Sequence, residues 1–234
     1  RPAIHRSCCS MDWWMALRLS TLRKAGQSAL QYNRRITDQP GVRVMPEYLR
    51  YRVAGGTYFF TVNLFDRQSD LLLRHIDVLR QAVRLTRQKR PFHIDAWVVL
   101  PEHLHCLWTL PAGDDDFPRR WQEIKKAFSR ALPASERRSA TQLARHERGI
   151  WQRRYWEHFI RDEEDYAAHL DYVHVNPLRH GLVSRVVDWP YSTFHHWMKK
   201  GVYSADWGSN VSVSVNGGEP WNPTSFSVSA RPLP

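Results

Sequence analysis

Cysteine is scarce in this chain: Cys8 and Cys9 are adjacent, and Cys106 stands far from them. No CxxC pair occurs, which excludes a zinc ribbon, and three thiols so placed build no disulfide framework. A reducing cytoplasm suits such a chain. No run of about 18 apolar residues is present, so no membrane-spanning helix is expected. The basic N-terminal stretch lacks an apolar segment before a small-residue cleavage site, so no signal peptide is expected either. No internal repeat is visible. Acidic residues are also in deficit, 23 Asp and Glu against 34 Lys and Arg, for a formal net charge of +11. Such a surplus attracts phosphate backbones. More than half of it, however, lies in residues 1–44, where 8 basic residues face 2 acidic ones. Charge alone does not decide for a nucleic-acid partner.

What is present is enough for a packed core: 42% hydrophobic residues, 11 of them tryptophan, in 234 residues. One domain with tails is the simplest organisation. Residues 1–44 carry scattered arginines and a Gln-Pro-Gly break at 39–41, and read as a poorly structured or upstream basic segment. The regular pattern spans 45–208. Residues 209–234 turn to Ser, Val, Gly, Asn and Pro and read as a disordered tail.

Within the domain, Thr57 to Leu64 has the composition of a strand. Residues 70–90 space their apolar side chains as an amphipathic helix that Pro91 stops. Residues 93–100 and 103–110 form two apolar strands around a tight turn at Pro101-Glu102. A second helix covers 118–132, a charged loop 133–149, a fourth strand 151–160, and a third helix follows. The order predicts an α+β fold: a ferredoxin-like βαββαβ sandwich, an antiparallel sheet with helices on one face, plus a C-terminal helix bearing tyrosines.

Two constellations carry chemistry. His103 and His105 sit two residues apart on a predicted strand, so they share a face while Leu104 and Cys106 point into apolar packing on the other. Side-by-side imidazoles can chelate one divalent ion, and the strongly apolar strands around them make unpartnered histidines costly there. Alone, an HxH pair is more often two surface histidines. The third helix opens on an acidic turn at 162–165, with Asp162 as N-cap. At helical spacing Tyr166, Leu170 and Val173 form an apolar stripe, and Asp165, His169, Tyr172 and Asn176 a polar one. Tyr166 therefore belongs to the core, and Tyr172 shares a face with Asn176 one turn later. Spacing alone also fits a Tyr172 that only packs helix to sheet. Pro177 should end or kink the helix nearby.

The stretch Asp171-Tyr172-Val173-His174-Val175-Asn176-Pro177, followed by Arg179-His180-Gly181-Leu182, resembles the IS200-like transposase superfamily, most closely the REP-associated tyrosine transposases. Four other blocks fit in order: Tyr51-Arg52 through Leu64, Ala96 to Cys106, Trp151 to His158, and Asp188 to His195. Coverage runs from about 45 to 208. The resemblance implies that His103 and His105 are metal ligands with Asn176 as the third, holding Mg²⁺ or Mn²⁺, and that Tyr172 is the nucleophile. It implies DNA as partner, single-stranded or in REP-like palindromic hairpins. It also implies a 5′-phosphotyrosine intermediate and a bacterial, nucleoid-associated setting. His169 and Asp165 are candidate proton acceptors by position. Arg52, Arg87, Lys89, Arg90, Lys125, Lys126, Arg153 and Arg154 are candidate nucleic-acid contacts. Tyr155 and Trp156 could stack bases or pack in the core. A monomer is favoured over a dimer, since no swapping device is apparent.

Two competitors share the pattern. One is a non-catalytic ferredoxin-like nucleic-acid-binding module, which fold alone would not distinguish. The other is a metal-dependent hydrolase in which water, not tyrosine, attacks.

Overall fold

A run of aromatic and β-branched side chains after Gly55-Gly56 becomes the central strand. Gly55 turns the chain into it with a φ of 72°, a conformation that L side chains rarely adopt. The structure, a computed structural model, describes residues 51–134, 138–145 and 147–209. The basic segment 1–44 and all but the first residue of the 209–234 tail lie outside the described residues. The elements are β1 (Thr57–Asn63), α1 (Leu71–Arg74), α2 (Ile76–Lys89), β2 (His93–Val99), β3 (His103–Thr109), α3 (Phe117–Ala131), α4 (Ala140–Ala144), β4 (Trp156–Phe159), α5 (Glu163–Arg179) and α6 (Phe194–Lys199). No described helix is long and apolar enough to cross a membrane.

The four strands pair antiparallel in the order β2-β3-β1-β4. This is the ferredoxin-like βαββαβ sheet, with the tyrosine-bearing helix α5 following β4. Strand alternation divides the side chains cleanly. Tyr58, Phe60, Val62, Leu104, Cys106 and Trp108 face α2 and α3, which bring Leu79, Trp121, Ile124 and Phe128. Phe59, Val98 and Leu107 face the other way, against Leu170 and Val173 of α5. The two sandwich helices thus cover one face, and the tyrosine helix covers the opposite one.

Three sequence expectations need correction. The helix foreseen over 70–90 breaks at His75 into α1 and α2. The strand foreseen over 151–160 shrinks to Trp156–Phe159, while Trp151 makes only an isolated bridge to Leu64. The charged segment 133–149 is not loop throughout: α4 forms in it, nucleated by a reciprocal capping box between Ser139 and Gln142. As expected from Pro177, α5 ends nearby, two residues beyond it, and closes with His180 N–H donating to the Asn176 carbonyl at 3.0 Å.

Beside the sheet, Arg120 of α3 is 1% exposed. It donates to both carboxylate oxygens of Asp114, at 3.0 and 2.6 Å, and to the carbonyls of Asp116 and Pro91. The guanidinium holds the Asp114 carboxyl below its usual range. The pair therefore stabilises the fold above the unfolded carboxylate pKa, and that contribution is lost as pH falls through the depressed one. Asp114→Ala leaves a buried cation without its counterion and should cost about 2–3 kcal/mol at neutral pH. A shifted urea midpoint with an unchanged m-value would report this; an unmoved midpoint would refute it.

Candidate active site

Strand β3 enters the sheet at His103, which pairs with Asn63, the last residue of β1. His103 and His105 therefore both project from this end of the sheet toward α5, and they are 3% and 4% exposed. Their Nε2 atoms approach to 3.2 Å. His103 Nδ1 lies 2.9 Å from the Glu102 carboxylate, an acceptor only, so Nδ1 carries the proton and Nε2 the lone pair. His105 Nδ1 lies 2.8 Å from the Thr61 hydroxyl. If Thr61 accepts there, both Nε2 lone pairs converge; if it donates, Nε2–H of His105 donates to His103. Carboxylate and hydroxyl partners behind the rings are the usual supports of metal-binding histidines.

Burial, then the neighbouring His103 and His180, keeps the His105 pKa well below the ordinary histidine value. His105 is thus neutral, the form that binds metal. Glu102 stays ionised: burial pushes its carboxyl up, but the His103 hydrogen bond and charge pull it below the usual range.

Helix α5 supplies the other half. Its polar stripe, which an isolated helix would turn to water, faces the sheet instead. Asp165, His169 and Asn176 are all buried. The Tyr172 ring stands edge-on to His105 at 5.2 Å and to Phe59 at 5.7 Å. Asn176 is 1% exposed, and its Oδ1 has no hydrogen-bond partner. A buried amide oxygen without a donor is costly unless something electropositive meets it. Two imidazole nitrogens and one orphaned amide oxygen make a donor set that fits a divalent cation.

The Tyr172 phenol is raised above its ordinary pKa by burial, while the Arg179 guanidinium and a hydrogen bond from Asn176 act to lower it. Arg179 lies 5.3 Å from the centre of the tyrosine ring. The His180 ring is 5.1 Å from that of His103. Arg67 reaches the same end, bonded to Asn63 and 3.4 Å from Glu102. Sequence reasoning gave no role to Arg67, Thr61, Glu102, Arg179 or His180. Cross-strand register would have found Thr61, and adjacency Glu102 and Arg179.

The remaining sequence candidates fall elsewhere. Asp165 accepts from His158 Nε2, from His169 and from Arg161. Burial would raise its carboxyl, but these partners hold it far below the usual range. His169 has Nδ1 committed to Asp165. Arg87 and Lys89 lie on α2 and Arg90 caps its C-terminus, across the sheet from the histidines; Arg87 donates to the Phe92 carbonyl and Arg90 pairs with Glu123. Arg52 pairs with Asp115. Lys125, Lys126 and Arg153 line a groove of about 1170 Å³ with Phe65 and Trp151. In that groove Lys125 donates to the Gln152 carbonyl and Arg153 pairs with Glu147. Phe65, which lines the groove, follows β1, whose last residue Asn63 pairs with His103. Arg154 is exposed.

No protein-family model matches the chain. Individual relatives do. An Escherichia coli (strain K12) protein described as a REP-associated tyrosine transposase is 50% identical over 167 residues, 71% of this chain and 93% of that relative. A Haemophilus influenzae protein assigned provisionally to the same group is 43% identical over 174 residues, 74% of this chain and 99% of the relative. Among solved structures, one of a REP-associated tyrosine transposase bound to a REP hairpin is 48% identical. It superimposes with a TM-score of 0.62 and covers 76% of this chain and 99% of its own.

Proposed function

The chain belongs to the REP-associated tyrosine transposases, and from that membership we propose that it binds REP-type hairpin DNA and cuts one strand through Tyr172. The observation that carries this reading is the meeting of His103, His105 and Tyr172 at one end of the sheet, from two elements distant in sequence, with the Asn176 amide hydrogen-bonded to Tyr172. The hairpin-bound relative supports DNA as the partner.

In this reading the Tyr172 oxygen attacks phosphorus in line with the leaving 3′ oxygen. A tyrosine–phosphorus bond forms, the P–O3′ bond breaks, and the DNA is left as a 5′-phosphotyrosine and a 3′-hydroxyl, which takes a proton. Arg179 and the Asn176 amide favour the phenolate against the desolvation that opposes it. His103, His105 and Asn176 would hold Mg²⁺ or Mn²⁺, with Glu102 and Thr61 fixing the two rings. When bound, such an ion supplies positive charge that polarises and orients the scissile phosphate. Arg67 and the basic groove beside Phe65 suit backbone contacts outside the reacting bond.

The test is incubation of the protein with end-labelled hairpin DNA and Mn²⁺, followed by a denaturing gel. A slow, protease-sensitive labelled band is the expected product. Cleaved DNA without that band would favour attack by water. Binding with neither product would leave a non-catalytic DNA-binding module.

A further inference from the structure

Helix α5 and strand β3 meet in two rungs. On the helix, Tyr172, Asn176 and His180 follow one another at four-residue spacing, about 6 Å of axial rise per step. On the strand, His105 and His103 stand two residues apart, about 7 Å. The Tyr172 ring meets that of His105 at 5.2 Å, and the His180 ring meets that of His103 at 5.1 Å and 63°. The two candidate metal histidines therefore lie between two flanks. The phenol borders one at His105, His180 borders the other at His103, and Asn176 falls midway along the helix.

Backbone bonds fix the position of His180. It caps α5, its N–H on the Asn176 carbonyl at 3.0 Å. Beyond it Gly181 takes a φ of 67°, and the N–H groups of Gly181 and Leu182 donate to the Leu178 and Pro177 carbonyls, both at 3.0 Å. This paired closure sets the last turn, and glycine takes such a φ without strain. His180 is exposed, whereas His103, His105 and Asn176 are buried. Its ring nitrogens have no hydrogen-bond or ion-pair partner among the described residues. Among those residues, His158, Asp165 and His169 are the group of three whose donor atoms gather within 4.8 Å of one another. His180 therefore stands beside the His103–His105 pair and does not complete a cluster with it.

We propose that His180 is a further catalytic residue, whose ring N–H donates to the leaving 3′ oxygen as the P–O3′ bond breaks. The proposal rests on the tyrosine-cleavage reading above and adds what meets the departing group. In-line displacement puts the attacking and leaving oxygens on opposite sides of phosphorus. With the Tyr172 oxygen at the His105 flank, the leaving oxygen falls toward the His103 flank, where His180 stands. The Tyr172 oxygen bonds phosphorus, and the P–O3′ electron pair goes to the 3′ oxygen. That oxygen takes its proton from water, and His180 keeps its own. An imidazole carries at least one ring N–H in either protonation state, so the contact needs no titration. A donor aimed at charge that develops only in the transition state raises the rate without tightening ground-state binding.

The experiment compares two hairpin substrates cleaved by the full chain in Mn²⁺. One has the ordinary 3′ oxygen at the phosphate that the wild type cuts, the other a bridging 3′ sulfur, which leaves as a thiolate without help from a hydrogen bond. His180→Phe keeps a ring against His103 and loses the N–H. It should slow the oxygen substrate by about 100-fold or more and the sulfur substrate by less than about threefold. His180→Gln, which keeps an N–H, should recover much of the loss. Hairpin affinity and the Mn²⁺-induced rise in unfolding temperature should match the wild type in both variants. A partly unfolded variant slows both substrates alike, so the ratio between them carries the result; His180→Ala supplies it if the phenylalanine variant does not fold. Equal slowing of the two substrates, or an oxygen-substrate rate within about threefold of wild type, would overturn the leaving-oxygen contact alone. Loss of the Mn²⁺ rise in His180→Phe would make the residue an ion ligand and overturn it as well. A wild type that forms no covalent product with the oxygen substrate would overturn the parent reading and this one together.

Discussion

Tyr172→Phe is expected to abolish the covalent protein–DNA product and to slow strand cleavage by roughly 10⁴-fold or more. Only the phenolic oxygen is removed. The ring keeps its edge contacts with Phe59 and His105 and its place beneath Arg179. Hairpin affinity should therefore stay within about twofold of wild type, since a group needed only as nucleophile contributes little to ground-state binding. The outcome separates three chemistries that share this sheet. A tyrosine nuclease loses both adduct and cleavage. A hydrolase using activated water keeps cleavage in the phenylalanine variant and shows no adduct in either protein. A binding module shows neither product from the start. Tyr166 is the internal control. Its hydroxyl bonds Asp95 at 3.1 Å, on the far side of the helix stripe, so it lies outside this chemistry.

The sheet was legible in the sequence because strand alternation leaves little choice. Once His103-Leu104-His105 lies in a strand, Leu104 and Cys106 must enter the core opposite the histidines, as they do. The tyrosine helix was legible in its spacing but not in its orientation. A stripe of Asp165, His169, Tyr172 and Asn176 resembles a solvent face; it is buried because the sheet offers Phe59 and the histidine pair to meet it. What local pattern could not supply was partnership across the chain. Asp165 is consumed by His158 and Arg161, and Lys125 by the Gln152 carbonyl, and neither pairing follows from the composition of one helix. A charge count likewise does not reveal which side of a sheet a helix covers: α2 and its basic C-terminal run cover the side away from the histidines. The cations that do reach the site, Arg67 and Arg179, stand singly in the sequence.

His103→Ala should remove both metal-dependent cleavage and metal-dependent stabilisation. In the wild type the Asn176 amide oxygen is buried without a donor, so an ion bound there would relieve a local cost as well as forming bonds. An ion present at a hundred times its dissociation constant stabilises by about 2.7 kcal/mol, or roughly 5–10 °C for a domain of this size. Thermal unfolding with and without Mn²⁺ should show that rise in the wild type and none in His103→Ala. Cleavage should fall on the order of 10³-fold, the worth of several kcal/mol of charge stabilisation on the phosphate. The difference between the two melts is the informative quantity. The substitution itself alters the ion-free fold, because Glu102 loses its histidine and retains Arg67. Asn176→Ala probes the third donor separately: it removes the orphaned oxygen, so the ion-free protein should lose little stability while the Mn²⁺ shift shrinks. Equal Mn²⁺ shifts in wild type and both variants would place the ion elsewhere, and the histidine pair would then be a packed feature of the sheet without a metal.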